Sequence, residues 1–121
     1  MAMSSGSGAA SMRFGLHEVL SGMLASIESD RFTDDPRRLA AMFEQLAGRF
    51  PLFAPLSAGV DPAAVSQALQ TLENKNLIQH STGCYVLPPE GRASCVSSKR
   101  TLFSRRDSDQ LEEAALVFGA I

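Results

Sequence analysis

Residues 61–92, DPAAVSQALQTLENKNLIQHSTGCYVLPPEGR, restrict the fold more than any other stretch of the chain. Asp61 can cap a helix whose first position is Pro62, where the missing N–H costs nothing. Val65, Ala68, Leu69 and Leu72 follow at helical spacing and form one inward stripe. Ala63, Ser66, Gln67, Gln70 and Asn74 are left on the outer face. Asn74-Lys75-Asn76 ends the helix, and either asparagine tolerates the left-handed conformation that a helix end uses. Leu77-Ile78 begins a strand, Ser81-Thr82-Gly83 turns, and Cys84-Tyr85-Val86-Leu87 returns as its partner. Pro88-Pro89-Glu90-Gly91 then opens a further helix that runs to about Phe103.

The flanking segments read as helices. Leu16, Val19, Leu20, Met23 and Ile27 place an apolar stripe on a helix over Phe14–Ser29, and Ser29 to Asp34 is a loop. Asp35 caps a second helix with Pro36 at its first position, and Leu39, Met42, Phe43 and Leu46 form its stripe. Phe50 to Leu56 is apolar but interrupted by Pro51 and Pro55, which leaves room for one short helical turn. Asp107 starts a last helix, with Gln110 at capping-box spacing and Leu111, Ala114, Ala115 and Phe118 as its stripe. The fold class expected is mainly α with a small two-stranded β-wing. Residues 1–12, small and polar, read as a disordered tail. Residues 13–106 form the domain, and 107–121 a C-terminal helix. Leu116, Val117, Phe118 and Ile121 crowd that end, so a homodimer through the first and last helices is expected. The alternative is packing of those two helices within one chain.

Composition narrows the function. A hydrophobic content of 45% with seven Phe supports an ordered core. No apolar run approaches the roughly 20 residues that span a bilayer. The start has no apolar signal region and only two cysteines occur, so a cytoplasmic protein without membrane contact or disulfide framework is expected. The net charge is −2, but residues 61–106 hold six basic residues (Lys75, Arg92, Lys99, Arg100, Arg105, Arg106) against three acidic ones, and 107–121 hold four acidic ones alone. His80, Cys84 and Cys95 lack the paired close spacing of a zinc site, so no metal or cofactor is expected. Arg92 and Lys99, one turn either side of Cys95, are expected to lower its pKa and leave room for thiol sensing. Cys84 reads as a small buried group. There is no Gly-rich phosphate loop, HExxH or nucleophile elbow. The pairs Asp34-Asp35 and Glu112-Glu113 do not share a helix face. The chain is not expected to be an enzyme.

Val65-Ser66, Leu69, Leu72-Glu73, Lys75, Leu77-Ile78, Leu87 and Gly91-Arg92 together resemble the winged helix-turn-helix transcription regulators of the multiple-antibiotic-resistance (MarR) and PadR-like kind, over about a quarter of the chain. The resemblance implies a DNA-binding transcriptional regulator whose helix 62–74 enters the major groove. Three departures stand out: Asn76 in place of the usual Gly, Pro88 in place of Thr, and a short wing turn without the Arg that relatives often place in the minor groove. DNA binding needs cations for phosphates and side chains that reach base edges. Ser66, Gln67, Gln70 and Asn74 have suitable donors and acceptors. Lys75, Lys99 and Arg100, with Arg105 and Arg106, are the expected backbone contacts. The alternative function is a winged-helix module for protein–protein interaction or scaffolding without DNA, which the neutral wing and Arg-free helix favour. A third reading is a gated regulator with Phe50, Leu52 and Phe53 lining a pocket at the dimer interface.

Overall fold

A computed structural model describes residues 14–118. In chain order the elements are α1 (Leu16–Leu24), β1 (Arg31–Thr33), α2 (Pro36–Ala47), a 3-10 segment (Pro51–Ala58), α3 (Pro62–Asn74), β2 (Gln79–Ser81), β3 (Cys84–Val86), α4 (Pro89–Leu102) and α5 (Arg105–Phe118). The three strands form one antiparallel sheet in the order β1-β3-β2. The expected mainly helical class is observed, but the sheet has three strands instead of two. The extra strand, β1, lies in the stretch that reads as a loop. Three residues are too few to show a period, and the partner of β1 lies some fifty residues downstream. The tail expected at residues 1–12, and Ile121, lie outside the described residues.

The helix starts that rest on local chemistry are present. Asp35 Oδ1 accepts the Arg37 N–H at 3.0 Å, and Asp61 Oδ1 accepts the Ala63 N–H at 2.9 Å. Asn76 takes φ 62°, closing α3 as a left-handed residue. Gly83 takes φ 75° at the hairpin turn, a conformation an L side chain rarely adopts. Other boundaries move. α1 stops at Leu24, five residues before the expected Ser29. The 3-10 segment runs through Pro55, which a regular α-helix would not accept in its interior. α5 begins at Arg105, because Ser104 Oγ accepts the Asp107 N–H at 3.1 Å and takes the capping role. Gln110 is thereby free of the expected capping box, and its Oε1 accepts the Leu52 N–H at 2.9 Å, docking α5 on the 3-10 segment.

α1 is the hub, packed against α3, α4 and α5, and its Val19, Leu20, Met23 and Leu24 are fully buried. Each such side chain contributes about 1.5–3 kcal/mol on burial. Leu111, Ala114, Ala115 and Phe118 bury the stripe of α5 inside the same chain, so the facing stripes of the first and last helices form an intramolecular seam. Leu116 stays outside, 69% exposed. Gly91 matters at the start of α4: a methyl there would overlap the Leu77 carbonyl oxygen.

The sheet has two unlike sides, because directly opposed residues in an antiparallel pair share a face. On the inner side Phe32, Tyr85 and His80 lie in register across all three strands. Their rings stack at centroid distances of 5.6 Å and 4.6 Å, and Phe118 of α5 meets Phe32 edge-on at 5.2 Å. His80 Nε2 lies 2.8 Å from Asp34 Oδ2. On the outer side the rows are Arg31-Val86-Gln79 and Thr33-Cys84-Ser81. Among the described residues no helix is long and apolar enough to cross a membrane.

Candidate functional site

The outer face of α3 is where sequence and structure agree best. Val65, Ala68, Leu69 and Leu72 are buried, which turns Ser66, Gln67, Gln70 and Asn74 to solvent. Among the described residues none of those four side chains is spent on an internal hydrogen bond. From Ser66 to Asn74 the face extends about 12 Å along the helix axis. Glu73 is exposed on the same helix, directly before Asn74. The Tyr85 hydroxyl, buried behind it, has its pKa raised by burial first, then by Glu73 and Asp34.

The expected backbone contacts do not gather around this face. Lys99 is only 9% exposed, with Nζ donating to Ser26 Oγ at 3.1 Å and lying 3.4 Å from Glu112 Oε2. Its ammonium is drawn between α1 and α5, so Lys99 is withdrawn from the set of surface cations. Lys75 is exposed but lines a depression of about 170 Å³ with His17, Glu18 and Ser98, between α1, α3 and α4. Arg100, Arg105 and Arg106 are exposed at the corner where α4 meets α5. Arg106 there borders a groove of about 420 Å³ with Pro51, Pro55 and Gln110. Arg92 is spent on the fold: its guanidinium donates to the carbonyls of Leu24 (3.3 Å), Ile27 (2.6 Å) and Ser29 (3.1 Å). These carbonyls belong to the end of α1 and the chain leaving it, and Arg92 satisfies them where the helix can no longer do so.

Three cations that the sequence reading passed over stand at the opposite corner. Pairing of β1 with β3 brings Arg31 beside the hairpin, and α2 starts just beyond with Arg37 and Arg38, all three exposed. Arg31, Thr33, Arg38, Gly83 and Cys84 line an open groove of about 300 Å³. Their only sequence signal is a basic cluster beside Asp34-Asp35, which looks self-neutralising until the pairing of β1 is known.

The thiols part company as well. Cys95 is fully buried, and burial pushes its pKa up; the hydrogen bond with the Ser21 side chain and the charge of Arg92 act in the lowering direction but more weakly. The expected lowering therefore fails, because burial of the thiol outweighs the charge of Arg92. Cys84 is half-buried on the outer side of the sheet, more open than a packing residue. His80, on the adjacent strand, faces the inner side, so the two cannot share a ligand. Among the described residues no group of three His, Cys, Asp or Glu is placed to hold a metal ion. Of the three residues of the gated reading, Leu52 lines the groove of about 420 Å³, whereas Phe53 is fully buried, 6.3 Å in ring centroids from both Phe43 and Phe50. Comparison of the chain with protein-family models, with characterised proteins and with solved structures finds no match.

Proposed function

We propose that the chain is a winged helix-turn-helix domain that binds duplex DNA as a transcriptional regulator, with α3 in the major groove. The observation that carries this reading is the outer face of α3: a helix anchored by one buried stripe, with four exposed side chains free to pair with base edges. The element order α1-β1-α2-α3-β2-β3 supports it by placing a hairpin directly after that helix. Gln67, Gln70 and Asn74 suit the N6 and N7 edge of adenine, and Ser66 either base type. With no Arg on this face, the reading favours sites rich in A·T pairs. A cytoplasmic homodimer that reads two half-sites belongs to the same proposal, and sedimentation of the purified protein tests the dimer.

Fluorescence anisotropy with random-sequence duplex DNA, at low and then physiological salt, tests the binding. Affinity that falls steeply with salt is the expected result. Gln67→Ala then lowers affinity for a selected site by about 1–3 kcal/mol while leaving random DNA unchanged. Equal loss on both removes Gln67 as a base reader. The second reading, a winged-helix module for protein partners, is favoured by Glu73 on α3 and by the withdrawal of Lys99. No binding at low salt makes it the leading one.

A further inference from the structure

We propose that Arg31 and Arg38 form a clamp for a backbone phosphate of duplex DNA, in the groove between β1, the first turn of α2 and the hairpin turn. The proposal rests on the DNA reading above, and it supplies cations that the turn itself lacks.

Five observations support it. Thr33 pairs with Cys84, the residue that follows Gly83, so the end of β1 is level with the hairpin turn and the groove opens at the tip of the wing. Arg31 lies on the outer side of the sheet and Arg38 in the first turn of α2, and both line the same groove. No carboxylate lines it. Of the carboxylates near it in sequence, Asp34 is engaged with His80 on the inner side of the sheet and Asp35 with the Arg37 N–H, while Asp30, next to Arg31, is exposed and is not among the residues that line the groove. Among the described residues neither arginine has an ion-pair partner, so each guanidinium fork is available for bidentate contact with phosphate oxygens. Thr33 adds a donor: its Oγ1 accepts the Asp35 N–H at 3.2 Å, which leaves the hydroxyl proton free to point into the groove.

The test compares three variants with the wild type on random duplex DNA, each checked by circular dichroism and thermal melting. Arg31→Gln/Arg38→Gln removes the clamp, Arg49→Glu makes the same change in net charge beyond the other end of α2, and Arg31→Lys/Arg38→Lys keeps the charge in place. Each phosphate contact changes affinity about 3–4-fold between roughly 50 and 200 mM salt, so losing the one clamped phosphate makes the salt-induced drop smaller by that factor. That flattening is expected for the first variant alone, with the Lys pair near wild type. Wild-type binding with an unchanged slope in Arg31→Gln/Arg38→Gln overturns the clamp and leaves the DNA reading standing. Equal flattening in Arg49→Glu also overturns it, as an effect of net charge only. Failure of the wild type to bind at about 50 mM salt overturns both readings.

Discussion

The seam between α1 and α4 holds two cations and a cysteine, the corner between β1 and α2 three cations and a cysteine, and the two regions use them in opposite ways. In the seam, Arg92 and Lys99 reach into the fold and Cys95 is sealed from water. At the corner, Arg31 and Arg38 are exposed and Cys84 is half open. By formal count the excess of positive charge lies in residues 61–106, which include both cations of the seam, yet those two of the six counted there are tied to groups of the interior or its rim. The field a partner meets is set by the cations that the fold leaves unspent. Those at the corner come from a stretch where Asp34 and Asp35 seem to cancel them.

The difference can be broken or sharpened by substitution. The largest effect is expected at Gly91, where alanine forces a methyl against the Leu77 carbonyl. Backbone on both sides limits relaxation, so Gly91→Ala should cost about 3 kcal/mol or more in urea unfolding. Arg92→Ala leaves three carbonyls without their charged donor and should cost about 2–3 kcal/mol. Arg38→Ala, at the corner, should stay within about 0.5 kcal/mol. Similar losses for Arg92→Ala and Arg38→Ala would erase the distinction between the regions. Lys99→Met keeps the packed stem and removes the ammonium. Glu112 is mostly exposed and its attraction screened, so stability should change by less than about 1 kcal/mol and the salt slope for DNA not at all.

The smallest effect concerns the thiols. The folded-state pKa of Cys95 lies above its ordinary value of 9.0, so the fold favours the protonated thiol. That contribution is complete below about pH 9 and fades as pH rises through the folded value, since the unfolded chain releases its proton first. Tyr85 acts in the same direction above its ordinary 10.0. Thermal melts should therefore drop as pH rises above about 9, and Cys84→Ser should leave the drop intact. In the native protein an aromatic disulfide reagent should label Cys84, while Cys95 waits for unfolding; equal rates would contradict the contrast.

What the sequence made legible was local. Asp35-Pro36 and Asp61-Pro62 announce helix starts because a cap and its partner lie two residues apart. The stripe of α3 and the hairpin are legible for the same reason. β1 was not, because a three-residue strand has no identity apart from its partner. Lys99 was misread although a signal existed: Gly91, Cys95, Lys99 and Phe103 are spaced four apart, and all four are buried. A lysine on such a stripe is one whose stem lies in the core. Gly91-Arg92, which carries part of the family resemblance, has a structural explanation in the Leu77 contact and the carbonyls beyond α1. That portion of the pattern marks how the chain folds and is silent on what it binds.

The ring row on the inner side of the sheet has a mechanical consequence. Tyr85 sits on the middle strand, with Phe32 stacked on one side and His80 on the other, and His80 extends past it to Asp34, just after β1. The two edge strands are thus strapped together over the strand that separates them. Three-residue strands have little stiffness of their own, and the strap turns them into one plate, braced from behind by Phe118. The hairpin that turns at Gly83 is thereby coupled to the start of α2, with the Tyr85 ring at the centre of the connection.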